Sequence, residues 1–115
     1  MSLILIYGCE PTLLQTRAWV LETTGLETEV ASDLSGLEEV LGQRPVDLMV
    51  LCHTLYPEEV RVALTRFHAL QPNKQILILT DDPVDTAGEG AKIISPFVDA
   101  KTLISSVEEV LSRAS

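Results

Sequence analysis

The sequence predicts an α/β domain in which a doubly wound, five-stranded parallel sheet is covered by helices on both faces. Three observations predict it. Short runs rich in Leu, Ile and Val recur along the chain without polar alternation, the mark of strands buried on both faces. Stretches with helical periodicity separate most of them. Aromatic residues are only 4% of the chain within a hydrophobic content of 46%, so the core must be aliphatic, as sandwiched strands require. The 115 residues suit one domain, 1–115, with no room for a second core.

Four runs read as buried strands: Leu3–Tyr7, Asp47–Leu51, Gln75–Thr80 and Ala91–Ser95. A weaker run, Glu27–Ala31, alternates acidic and smaller residues and suits a sheet edge. Between them, Thr12–Thr24 places Leu13, Leu14, Ala18 and Leu21 on one helical face and stops at Gly25, a C-terminal capping glycine. Asp33–Leu41 gathers Leu34, Leu37, Val40 and Leu41, with Ser32 as the expected cap and Gly42 as the stop. Pro57–Leu70 opens with a proline and two glutamates, which suit the positive end of a helix, and buries Val60, Leu64 and Phe67. Ala100–Ser112 has the cleanest period, Leu103, Ile104, Val107, Val110 and Leu111, with Asp99 as N-cap.

Strands alternating with helices imply right-handed crossovers and a parallel sheet. Ligands of such sheets bind at the carboxyl ends of the strands. Those ends carry Gly8, Cys9 and Glu10, then Cys52 and His53, then Thr80, Asp81 and Asp82, then Ser95 and Pro96. The pattern breaks between Thr80 and Ser95. The stretch 81–90 has a proline, two glycines and almost no apolar residues, so it offers no buried helical face. A loop or a short turn is expected there, with the fourth helix shortened or missing.

Charge and composition exclude several functions. A net charge of −9 disfavours nucleic acid and anionic membrane surfaces, which need clustered Lys and Arg. No basic start or cleavage site marks a signal peptide, and no apolar stretch is long enough to span a bilayer. Two cysteines do not make a disulfide scaffold, so a reducing cytoplasm is the expected compartment.

Taken in order, Leu3–Tyr7 followed by Glu10-Pro11, Pro45 and Asp47 ahead of Cys52, Ile76–Thr80, and the late Ser95-Pro96-Phe97 resemble the receiver domain of two-component response regulators. The resemblance covers nearly the whole chain. It implies the flavodoxin-like (CheY-like) strand order 2-1-3-4-5 and a bacterial, cytoplasmic signalling role. In that family two acidic residues after the first strand, and an aspartate ending the third, bind Mg²⁺. The aspartate accepts a phosphoryl group. A hydroxyl ending the fourth strand and a lysine ending the fifth contact the phosphate. Carried onto this sequence, the acidic pair falls on Gly8 and Cys9, the phosphoacceptor on Cys52, the hydroxyl on Thr80 and the lysine on Ser95. Only Thr80 matches. The aromatic switch position falls on Lys92. The resemblance therefore implies a degenerate receiver, a pseudo-receiver, with no catalysis and no cofactor. Its partner would be a signalling protein or a second copy in a homodimer.

Mg²⁺ wants carboxylate and water oxygens, and a thiol is a poor substitute. Glu10, Asp81 and Asp82 remain near the rim for weak divalent binding. In the implied strand order Cys9 and Cys52 share one rim. They then read either as space-filling small hydrophobes or as a redox or soft-metal pair, with His53 as a third ligand. His68, beside Phe67, reads as a boundary residue. Thr80 reads as a loop cap or an anion contact. Tyr56 shows no stripe, and Trp19 is either packing or a partner anchor. A phosphocysteine role for Cys9 is disfavoured. Arg17 lies too far along, Glu10 raises the thiol pKa and Pro11 removes an amide donor.

Overall fold

The computed structural model describes residues 3–52, 56–71, 74–80, 91–95 and 97–113. The elements run β1 (Leu3–Tyr7), α1 (Pro11–Glu22), β2 (Glu27–Ala31), α2 (Leu34–Gln43), β3 (Leu48–Leu51), α3 (Pro57–Leu70), β4 (Gln75–Leu79), β5 (Ala91–Ile94) and α4 (Ala100–Arg113). The strands form one parallel sheet in the order β2-β1-β3-β4-β5. Class, strand order and the edge position of β2 agree with the sequence reading. The expectation of a shortened or missing helix falls on residues 81–90, which lie outside the described residues.

Side chains alternate across the sheet with a period of two. Leu3, Leu5 and Tyr7 join Met49, Leu51, Ile76 and Ile78 on one face, under Leu37 and Leu41 of α2 and Val60, Leu64 and Phe67 of α3. Ile4 and Ile6 join Leu48, Val50, Leu77 and Leu79 on the other, under Leu14, Ala18 and Leu21 of α1 and Leu103, Val107 and Val110 of α4. The apolar strands thus feed two aliphatic cores, one under each helix pair. Among the described residues no helix is long and apolar enough to cross a membrane.

Several local expectations are corrected. α1 begins at Pro11, because the Glu10 carboxylate accepts from the Thr12 N–H at 3.3 Å and serves as N-cap. It ends at Glu22 rather than Thr24: the Thr23 and Thr24 hydroxyls donate back to Val20 and Leu21 carbonyls, and Gly25 turns the chain at φ +87°. Leu13 is only half-buried, and Arg17 takes its place on the buried face. Asp33, not Ser32, caps α2, accepting from the Gly36 N–H at 2.7 Å. Gly42 does not stop that helix, which runs to Gln43. Pro45 then excludes helical backbone at Arg44. β3 starts at Leu48, because Asp47 is a tie: its carboxylate accepts from the Leu3 N–H at 2.8 Å while its own N–H donates to the Leu3 carbonyl at 2.9 Å. β4 and β5 each end one residue early, at Leu79 and Ile94. α4 runs one residue past Ser112. Asp99 caps it as expected, accepting from the Thr102 N–H at 2.8 Å.

The edge strand β2 is covered by charge. Arg44 pairs with Glu27 and, at 2.9 Å, with Glu29. All three side chains remain more than a third exposed, so the pairs add little stability. They do place charges along an unpaired strand edge, which discourages pairing with another chain.

Candidate functional site

The strand order reverses between β1 and β3, so the crevice of this fold opens at their carboxyl ends. The ladder continues one step past the strands. The Cys52 N–H donates to the Tyr7 carbonyl at 3.0 Å, and the Gly8 N–H to the Ala31 carbonyl at 3.2 Å. On the far side the Thr80 N–H donates to the Ile94 carbonyl at 2.9 Å. These bonds bring Gly8, Cys52, Thr80 and Ser95 to one rim. His53, Asp81, Asp82 and Pro96 lie outside the described residues.

Cys52 continues the β3 alternation and joins the core under α1 and α4, where it is only 2% exposed. Arg17 reaches it from α1. The side chain is 9% exposed, and its guanidinium lies close enough to Cys52 to act on the thiol electrostatically. Burial pushes the thiol pKa up from its ordinary 9.0, and the attraction of Arg17 offsets this only in part. Cys52 is therefore a neutral thiol held against a buried cation. The sequence carried a signal for Arg17, since Leu14, Arg17, Ala18 and Leu21 form one helical stripe.

Cys9 turns to the other face. Its thiol donates to the Glu59 carboxylate at 3.5 Å. Glu59 sits in the first turn of α3, where it also accepts from the Tyr56 N–H at 2.9 Å and so closes the start of the helix. Partial burial, the hydrogen bond to Glu59 and the charge of Glu59 all push the Cys9 pKa up from 9.0. Tyr7 is raised from 10.0, first by burial and then by Glu59, Cys9 and Asp33. Acidic groups thus gather at this part of the rim. Nothing local in the sequence marked Glu59 as a partner of Cys9, because the contact joins residues fifty apart.

Neither cysteine is in a disulfide; Cys9 is exposed and Cys52 buried. They take partners on opposite faces of the sheet, although Cys9 still contributes electrostatically at Cys52. Ser95, half-buried, accepts from the Phe97 N–H at 3.2 Å, and Thr80 is half-buried at the end of β4. Glu10 is engaged as a helix cap. His68 is exposed and its ring stacks beside Phe67. Among the described residues no group of three or more His, Cys, Asp and Glu could hold a metal ion.

This geometry predicts the behaviour of Cys9. The thiolate is the nucleophile, so a raised pKa slows alkylation near pH 8. The pH at half-maximal alkylation of Cys9 is expected above 9.0. Glu59→Gln removes the charge that opposes ionisation, so its curve is expected to move to lower pH, with faster labelling at pH 8. Iodoacetamide labelling followed by peptide mass analysis measures this. An unmoved curve in Glu59→Gln would separate Cys9 from Glu59.

No family model matches the sequence, and no curated protein does. Solved structures match throughout. The CheY-like response regulator receiver domain protein from Methanospirillum hungatei JF-1 superposes with a TM-score of 0.83 at 23% identity, covering 99% of this chain and 96% of that one. The receiver domain of the Francisella response regulator 1452 gives 0.82 at 16% identity, with all of both chains covered. The response regulator receiver protein from Sinorhizobium medicae WSM419 gives 0.83 at 18% identity, covering 99% of this chain and 97% of that one. At these identities the likeness is one of architecture, and on that ground the chain has the CheY-like fold of response regulator receiver domains.

Proposed function

We propose that this chain is a non-catalytic signalling domain that keeps the receiver scaffold and works by protein–protein interaction without phosphorylation. The observation that carries the reading is Cys52. The residue after β3 is a neutral thiol, 2% exposed and facing Arg17, where phosphoryl acceptance needs an ionised carboxylate open to metal and donor. The neighbouring positions support it. Gly8 has no side chain, Cys9 is held protonated by partial burial and by Glu59, and Ser95 offers a hydroxyl where the family has a cation. Mg²⁺ finds few hard ligands in such a set. An incoming phosphoryl group would also meet acidic charge around Cys9. The partner is a signalling protein or a second copy, in the cytoplasm. We assign no enzymatic step and no cofactor.

The same geometry opposes the thiol-sensor alternative. A disulfide needs sulfurs that face each other, and these two face opposite sides of the sheet. Intact mass after incubation with acetyl phosphate and Mg²⁺ tests both readings. An unchanged mass is expected, with or without reductant. A phosphoryl adduct would overturn the proposal. A two-proton loss without reductant would replace it with the Cys9–Cys52 switch.

A further inference from the structure

Arg17 puts a permanent charge inside a core. It lies on the α1 stripe of Leu14, Ala18 and Leu21, which packs into the aliphatic cluster that holds Cys52. An arginine on a buried face usually extends its head to water. Here the side chain is only 9% exposed, and Nη1 is shut off from solvent. A guanidinium does not give up its proton in a protein, so the charge is fixed. Cys52, the first residue past β3, is close enough to feel it. Gly8 belongs to the same face. Ile4 and Ile6 of β1 point into this core, and Gly8 continues their alternation one step past the strand.

We propose that Arg17 is the resident cation of this crevice and turns divalent metal ions away, even from carboxylates placed at positions 8 and 52. The inference rests on the phosphorylation-independent reading and deepens it, because it adds an active refusal of metal to the loss of metal ligands. A divalent ion brought beside Cys52 would meet a like charge in surroundings that screen poorly. Arg17 cannot relieve that repulsion by deprotonating. Its planar fork also matches a carboxylate, so an acid at position 52 would pair with Arg17 in place of a metal.

The probe is Mn²⁺, followed by paramagnetic broadening of the Tyr7, Cys9 and Thr80 amide resonances. Gly8→Asp combined with Cys52→Asp supplies two hard ligands on one face at adjoining strand ends. With Arg17 in place, no saturable broadening is expected at millimolar Mn²⁺. Adding Arg17→Met is expected to bring saturable binding, tighter by about tenfold or more. Adding Arg17→Lys, which keeps the charge, is expected to leave Mn²⁺ refused. Urea midpoints provide a second measurement on Cys52→Asp alone. A buried carboxylate without its cation is strongly destabilising, so Cys52→Asp should unfold at much lower urea in the Arg17→Met background than beside Arg17. Equal Mn²⁺ binding with and without Arg17, or none in either, would overturn the inference. So would Mn²⁺ binding in the lysine variant, or urea midpoints that show no coupling between positions 17 and 52. The mass experiment on the wild-type chain reports separately: an adduct there would sink phosphorylation independence, while the Mn²⁺ comparison would still report on Arg17.

Discussion

Phe67→Ala is expected to cost about 3–5 kcal/mol, a large part of the roughly 5–15 kcal/mol that holds a domain of this size. Phe67 is fully buried, and in a chain with so few aromatics it is among the largest fully buried side chains. It projects from the last turn of α3 onto the sheet face shared by Leu5, Met49, Leu51 and Ile76, in the core that also holds Leu37 and Leu41 of α2. Truncation would leave a cavity walled by the sheet and a helix, neither of which can close over it. Urea unfolding should show a lower midpoint with little change in slope. Phe67→Leu keeps most of the volume and should lose much less. A loss below about 1 kcal/mol in the alanine variant would mean that α3 is not anchored through this ring.

The second large effect is expected at Gln71, the residue that ends α3. Its amide oxygen accepts from the Val46 N–H at 2.6 Å, and its amide nitrogen donates to the carbonyls of Leu41 at 2.9 Å and Arg44 at 2.6 Å. One side chain therefore joins the end of α2, the entry to β3 and the end of α3. Val46 is fully buried, so its N–H has no recourse to water once the partner is gone. Gln71→Ala should cost about 2–3 kcal/mol, measured by the same unfolding curve, with faster hydrogen exchange at the Val46 amide. Gln71→Glu keeps the acceptor but turns a charged oxygen toward two carbonyls. Protonation relieves that clash, so this variant should gain stability relative to wild type as the pH falls through the carboxylate range. Unchanged exchange at Val46 in the alanine variant would count against the contact.

The elements were legible because each is written in local chemistry. The continuous apolar runs fell on the strands, and Gly25 and Asp99 took the terminal roles that their backbone and side chain favour. The choice of Ser32 over Asp33 failed because both are good caps, and only the path of the chain out of β2 selects between them. Gly42 misled for a similar reason: its helix-breaking preference is weak, and α2 outlasts it by a residue. Asp47 was noticed as part of a pattern, but its work, holding the start of β1, required the partner strand.

The candidate site was legible as a set of residues and not as an arrangement. The chain alone determined that the carboxyl rim would carry Gly8, Cys9, Cys52, Thr80 and Ser95, because element order and strand ends follow from hydrophobic pattern. It also determined that Arg17 would share a stripe with Leu14, Ala18 and Leu21, because helical geometry has a fixed period. Tertiary structure decided the rest. It placed Arg17 against Cys52 and Glu59 against Cys9, so that two cysteines on one rim serve opposite faces of the sheet. It left Trp19 exposed, since α1 spends its other face on the core. The physical reason is range. Periodicity and capping act over a few residues, whereas the pairing of a thiol with a particular charge depends on how distant elements are brought together across the sheet.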